Sequence, residues 1–154
     1  MRISENDIHV ALGKTGNLPE NEFKAIIDNY HSTKGNNFIN EKLYFIGEVR
    51  KKILPNLKLY LNKSLTEILK LTMKQENIDL FEKFDDFWMK LEEEVLQRTE
   101  HITNEQIIIM VEAFSKCSLP CDKLFEEFED VITESELPFN VKYQLFSITN
   151  MRKY

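Results

Sequence analysis

Few residues in this sequence combine the types and the spacing that catalysis or ligand binding requires. Gly13-Lys14-Thr15 matches the end of a phosphate-binding loop, but that loop needs a glycine five positions earlier, where this chain has Ile8. The loop also needs a buried strand before it, and the apolar spacing here predicts a helix. We therefore interpret these residues as a turn that ends a helix, and we predict no nucleotide site.

The two cysteines are the next candidates for chemistry. Cys117 and Cys121 lie four positions apart with Pro120 between them, whereas a zinc ribbon needs a second pair of ligands. The histidines that could supply further ligands are scattered along the chain, at His9, His31 and His101. The pattern favours two buried or half-buried thiols at a hairpin turn in a reducing or neutral compartment, with no metal and no disulfide framework.

No pattern of catalytic side chains stands out either. Carboxylates occur in pairs along most of the predicted helices, so their spacing does not indicate an acid–base site. The sequence contains no Gly-x-Ser-x-Gly elbow, no His-Glu-x-x-His and no glycine-rich loop after a strand. We expect no catalytic residue and no cofactor, and an enzyme whose site is assembled from scattered residues is the weakest hypothesis.

Composition favours one soluble helical domain over residues 1–154. The chain is 42% hydrophobic and 11% aromatic, too apolar for a disordered chain, and its four glycines and four prolines are too few for the turns of an all-β fold. No apolar run approaches the roughly 20 residues of a membrane-spanning helix. The net charge of −6 disfavours general binding to polyanions.

Apolar residues recur at steps of three and four, which predicts seven to nine helices in antiparallel hairpins. We expect a first helix that ends at Gly13, a turn at residues 34–37 and an interruption at Pro55. We also expect one long helix from Asn77 or Asp79 through Leu96. Helix starts are predicted elsewhere by prolines and by a capping signature, at Pro19, Thr103, Pro120 and Pro138.

Several segments resemble one another at offsets near 40 residues. Phe87-Trp88-x-x-Leu91-Glu92-Glu93-x-Val95 parallels Leu124-Phe125-x-x-Phe128-Glu129-Asp130-x-Ile132, 37 residues later. The segment from Asn62 to Leu69 parallels that from Asn104 to Val111 at an offset of 42. Two helices per unit at this period indicate a short α-solenoid. An irregular helical bundle is the alternative, because amphipathic helices partly resemble one another by chance.

The run Phe87-Trp88-x-x-Leu91-Glu92-Glu93, followed by the segment from Ile102 to Phe114, resembles one unit of the octotricopeptide- and heptatricopeptide-like helical repeats. These repeats occur in organellar proteins, including those with a RAP domain, and the resemblance is best over residues 78–150. It implies an α-solenoid in a mitochondrion or plastid that binds RNA or serves as a scaffold in a large complex. A mitochondrial location is expected on this ground, with the cytoplasm as the alternative.

Charge is distributed unevenly, and it limits the choice of partner. Residues 41–75 carry eight Lys and Arg against three acids, whereas residues 76–136 carry five against eighteen. An RNA-binding solenoid needs a basic groove, but the segment most like the repeat is the most acidic. The candidate partner-binding residues are of two kinds. Trp88 is an aromatic residue that could contact a partner. The others are basic residues on either side of Pro55 and near Tyr60, namely Arg50, Lys51, Lys52 and Lys58.

These observations favour a non-enzymatic accessory or scaffold subunit of a large organellar assembly. A respiratory or ATP synthase complex of the inner membrane is the expected kind, with membrane association only through partner subunits. A short solenoid needs neighbours or caps at its ends, which fits a subunit that is buried against other chains. The alternative is an organellar RNA-binding protein in which the four basic residues contact phosphates.

Overall fold

The structure is a computed structural model that describes residues 19–33 and 38–153. Within these residues it contains eight α-helices and no strand, which confirms the predicted all-α class. The expected helix before Gly13 and the expected turn at residues 34–37 lie outside the described residues. The chain divides into two compact units, Met1–Leu80 and Phe81–Tyr154. The expectation of one domain over residues 1–154 stays a prediction.

The first unit contains three long helices and several short helical segments. Helix α1 contacts both α2 and α3, so it forms the centre of this unit. The elements in chain order are α1 Pro19–Thr33, α2 Phe38–Glu48, a π-helical segment Val49–Ile53, a 3₁₀ segment Leu54–Leu59, α3 Asn62–Met73 and a 3₁₀ turn Gln75–Asn77. The short helix α4, Ile78–Phe81, follows.

Helix α1 forms as the apolar spacing predicts. Phe23, Ile26, Ile27 and Tyr30 recur at helical steps and are all buried, so they form one continuous face. Polar residues occupy the opposite side and include the exposed ion pair between Lys24 and Asp28. Burial of this face against α2 and α3 holds the first unit together.

The helix that begins as α2 changes its geometry before Pro55, as expected. From Val49 onward, backbone hydrogen bonds join residues that are five positions apart instead of four. The amide of Leu54, for example, donates to the carbonyl of Val49. Proline has no N–H to offer a preceding carbonyl, so the α-helical ladder cannot continue through residue 55. The side-chain amide of Asn56 donates to the carbonyl of Lys52 at 2.8 Å, which satisfies one of the acceptors left over.

The second unit contains four long helices. Helix α7 lies at its centre, because it contacts each of the other three, and α6 also contacts α8. These helices are α5 Asp85–Leu96, α6 Asn104–Ser115, α7 Asp122–Glu134 and α8 Phe139–Lys153, with a 3₁₀ turn Thr99–His101 before α6. The cap predicted at Thr103 is confirmed. Its hydroxyl accepts from the amide of Gln106, and its own amide donates to the Gln106 side chain.

The prediction of one long helix from Asn77 or Asp79 is wrong. The helix ends at Phe81, and Phe84 adopts a non-helical backbone with φ −88° and ψ 74° before α5 begins at Asp85. The break turns both Phe81 and Phe84 into the core, where they are 1% and 4% exposed. The carbonyl of Phe81 then accepts from the amide of Phe84 and from the indole of Trp88 instead of continuing the helical ladder.

Candidate partner-binding surfaces

The basic residues singled out in the sequence all reach the surface of the first unit. Arg50, Lys51 and Lys52 are consecutive in the π-helical segment, and Lys58 lies in the 3₁₀ segment that follows it. All four are exposed. Consecutive residues of a helix project in different directions, about 100° apart in an α-helix, so the three do not form a single row. We call these four residues the basic segment.

Lys52 is engaged by a carboxylate of its own helix. Its Nζ lies 2.7 Å from Oε2 of Glu48, one turn earlier. The hydrogen bond from Lys52 lowers the pKa of Glu48, and a further hydrogen bond from the Tyr44 hydroxyl acts in the same direction. The same bond to Glu48 raises the pKa of Lys52. Part of the positive charge of the basic segment is therefore compensated within the chain.

Tyr60 is not available as a surface aromatic beside the basic segment, contrary to the sequence interpretation. The residue is 4% exposed. Burial, followed by the nearby charges of Glu22 and Glu20, raises the pKa of its phenol to about 12. The spacing of Ile53, Leu57 and Tyr60, at steps of four and three, is the signal that could have predicted this burial, since it continues one helical face.

Trp88 lies in the core of the second unit. It is 2% exposed, and its Nε1 donates to the carbonyl of Phe81 at 2.7 Å. Its ring also meets Phe87 and Phe114 edge to face, with centroids 5.3 Å and 5.4 Å away. Trp88 therefore anchors α5 to the end of α4 and to α6. An indole so buried offers a partner almost no surface.

The two cysteines are buried side by side in the second unit, as expected. They are 3% and 4% exposed, and their Sγ atoms lie 3.8 Å apart. Cys121 adopts a left-handed backbone with φ 50° immediately before α7, which turns its side chain toward Cys117. The hydrogen bond shared with Cys117, followed by burial, raises the pKa of the Cys121 thiol, and Glu92 adds to this effect. No disulfide joins the two residues.

A groove between α1 and α2 in the first unit was not foreseen from the sequence. It encloses about 220 Å³, and carboxylates, two tyrosines and a lysine line it, namely Glu22, Glu41, Glu48, Tyr30, Tyr44 and Lys52. Burial, followed by the charges of Glu41 and Asp79, raises the pKa of Tyr30. Such a lining can accept hydrogen bonds from a cationic or hydroxylated group. Its residues come from two helices, so no local sequence pattern could have revealed it.

Large apolar side chains that reach solvent are the other surface feature. In the first unit, Leu43 and Tyr44 are 62% and 59% exposed on α2, and Leu59 is 43% exposed. In the second unit the exposed members are Met89 at 46%, Phe139 at 84%, Tyr143 at 67% and Met151 at 80%. Isolated exposed apolar residues are ordinary, but neighbouring ones along one helix are typical of surfaces that bind protein.

Residues 19–33 and 38–153 contain neither a candidate metal cluster nor a helix able to span a membrane. They contain no group of three or more His, Cys, Asp or Glu side chains that could hold a metal ion. No helix within them is both long enough and apolar enough to cross a lipid bilayer.

Comparison with known proteins identifies no relative. No protein-family model, no curated protein and no solved structure matches this chain. The similarity to octotricopeptide- and heptatricopeptide-like repeats thus stays a prediction from the sequence, as does the organellar location that it implies.

Proposed function

We propose that this protein is a non-enzymatic accessory or scaffold subunit of a large organellar assembly. The observation that carries the proposal is the set of seven large apolar side chains that stand 43% or more exposed on helices of both units. Aromatic residues and methionine are enriched where proteins meet, and a helix face that stays apolar in water is stabilised when another chain covers it. Leu43 and Tyr44 on α2 are the members of this set in the first unit that lie side by side.

The nature of the assembly is argued from the sequence. The resemblance to organellar helical repeats supports a mitochondrial location and a short solenoid with neighbours at its ends. The inner-membrane respiratory or ATP synthase complexes are the kind of assembly we propose, with contact to the membrane through other subunits. The acidic stretch of residues 76–136, with five Lys and Arg against eighteen acids, suits a basic partner surface.

The test is purification of the tagged full chain from its source in gentle detergent, with and without nuclease. We expect a fixed set of other subunits to co-purify whether or not nuclease is added. Leu43→Gln should weaken this recovery, because it removes apolar contact area from α2 without disturbing the buried face. Lys63→Gln is the matched control, since it changes an exposed residue of the same unit and should leave recovery unchanged. Recovery of the chain alone would contradict the proposal.

A second candidate is an RNA-binding protein, and the observation that favours it is the exposure of all four residues of the basic segment. If this alternative holds, nuclease removes the co-purifying material and binding to RNA falls steeply as salt rises. Neutralising the basic segment with four Lys or Arg to Gln changes should then abolish RNA retention. The partial compensation of Lys52 by Glu48 and the burial of Tyr60 weigh against this candidate.

A further inference from the structure

Helix α8 presents an uncharged face to solvent in an otherwise highly charged protein. Seven of its described side chains are exposed, and none is charged at pH 7, namely Phe139, Asn140, Tyr143, Gln144, Ser147, Asn150 and Met151. On neighbouring α7, by contrast, five of the six exposed residues are charged, with Thr133 the exception. Charged residues are depleted at the centres of protein interfaces, and aromatic residues and methionine are enriched there. The face of α8 therefore has the composition of an interface.

The rotation of α8 about its axis is fixed by contacts to α7. Leu145 and Thr149 are buried, and the Thr149 hydroxyl donates to Oε1 of Glu129 at 3.2 Å. Nζ of Lys142 donates to the carbonyl of Thr133 at the same distance. These contacts hold one side of α8 against the unit, so the opposite side, with Phe139, Tyr143 and Met151, is directed outward.

We propose that this outward face pairs with the same face of a second copy of the chain, with the two α8 helices antiparallel. Phe139, Tyr143, Ser147 and Met151 follow one another at steps of four and share one side of the helix. Their midpoint is residue 145. Antiparallel pairing about this point sets Phe139 opposite Met151 of the second copy, and the large ring of Tyr143 opposite the small Ser147. The surface is thus complementary to itself, as a two-fold interface requires.

Charge at the two ends of α8 favours the antiparallel orientation. The sequence becomes basic after Met151, with Arg152 and Lys153. Before the helix begins, Glu100, Glu134 and Glu136 line an open cleft of about 270 Å³ together with uncharged residues. Antiparallel pairing brings the basic end of each copy to the acidic end of the other, and it also opposes the two helix dipoles favourably. A parallel pair would bring like charges together.

The experiment is sedimentation equilibrium of the purified full chain over about 2 to 200 µM, because a single helix face is smaller than a standard interface and should give a micromolar dimer. We expect the mass to rise from 18.3 kDa toward twice that value. Tyr143→Glu should weaken dimerisation at least about tenfold, since it buries a charge at the interface. Gln97→Glu is the matched control, because it adds the same charge at an exposed site just after α5 and should leave dimerisation unchanged.

The orientation is tested with cysteines introduced at opposing positions. A mixture of Tyr143→Cys and Ser147→Cys chains, incubated with oxidised glutathione, should form a disulfide between residues 143 and 147 of different copies, mapped by mass spectrometry. A chain that stays monomeric throughout the range overturns the proposal, as does a Tyr143→Glu variant that dimerises like the wild type. Met151→Glu serves as a second variant if Tyr143→Glu alters the helical circular dichroism. Self-linking of Ser147→Cys alone would show a parallel pair and overturn the antiparallel arrangement.

Discussion

The indole Nε1 of Trp88 donates a hydrogen bond of 2.7 Å to the backbone carbonyl oxygen of Phe81, seven residues earlier. This carbonyl is at the end of α4, where a continuous helix would have bonded it to a backbone amide. Because both groups are buried, the bond links the helix break directly to the aromatic core of the second unit. The same carbonyl also accepts from the amide of Phe84, so it keeps a backbone donor at the helix break and gains the indole as a second one.

Replacement of Trp88 should therefore destabilise the second unit. We expect Trp88→Phe to lower the free energy of unfolding by about 2 to 3 kcal/mol, because it removes both the hydrogen bond and part of the buried ring. Urea denaturation followed by circular dichroism measures the change. Met89→Ala, at a 46% exposed site on the same helix, should cost much less. Equal stability of Trp88→Phe and the wild type would contradict the assigned role of the indole.

The ion pair between Glu94 in α5 and Arg98, two residues after that helix ends, offers a second test. Nη2 and Nε of Arg98 lie 2.6 Å and 3.0 Å from the same oxygen of Glu94, and the two side chains are only 12% and 10% exposed. Arg98→Met should lower the free energy of unfolding by about 3 kcal/mol, because it leaves the Glu94 carboxylate shielded from water without its partner.

The exposed pair between Lys90 and Glu93 on the same helix is the matched control. Its atoms lie 3.8 Å apart, and its side chains are 54% and 58% exposed. Lys90→Met should change stability by less than about 0.5 kcal/mol, since water and ions screen such pairs. Chemical denaturation of both variants at pH 7 gives the comparison. Similar losses in the two variants would show that burial does not distinguish the pairs.

The raised pKa of Tyr60 predicts that the folded protein loses stability at alkaline pH. Burial raises the pKa of its phenol from 10.0 to about 12 in the folded protein, so the unfolded chain loses this proton first as pH rises. The contribution of Tyr60 to stability is therefore intact below pH 10 and falls as pH increases from 10 toward 12. Denaturation at several pH values should show a smaller alkaline loss for Tyr60→Phe than for the wild type.

Tyr143→Phe is the control for this pH dependence. Its ring is 67% exposed, so the variant should retain the alkaline loss of the wild type. Absorbance at the phenolate band also tests the assignment directly, because Tyr60→Phe should remove a late-ionising phenol that Tyr143→Phe retains. An unchanged alkaline loss in Tyr60→Phe would assign the effect to other groups.

The buried cysteines should react slowly with a thiol reagent while the protein is folded. Both are less than 5% exposed, and the shared hydrogen bond and burial raise the pKa of Cys121, which disfavours the reactive thiolate. We expect Ellman's reagent to modify neither thiol rapidly in the native protein and both after denaturation. Ser32→Cys, at an exposed site, provides a fast-reacting reference. Native thiols that react at the reference rate would contradict their burial.

Local patterns predicted several elements correctly because the interactions involved are local. The capping box needs only Thr103 and Gln106, three residues apart, and Pro55 acts on its own helix whatever packs against it. The apolar steps of α1 predict its buried face because the residues of one face follow one another in the chain. The same reasoning failed at Phe84, since its turn into the core depends on which distant side chains surround it.

The sequence by itself determined the all-α class, the positions of most helices and the exposure of the basic segment. These follow from helical periodicity, from caps and prolines, and from the cost of burying charge. Only the tertiary structure decided that Trp88 is buried, that the two Sγ atoms lie 3.8 Å apart, and that α8 presents its uncharged face outward. An apolar or aromatic residue is stabilised equally by its own core or by another chain, so its type cannot distinguish the two. The contacts of each helix with its neighbours make that choice.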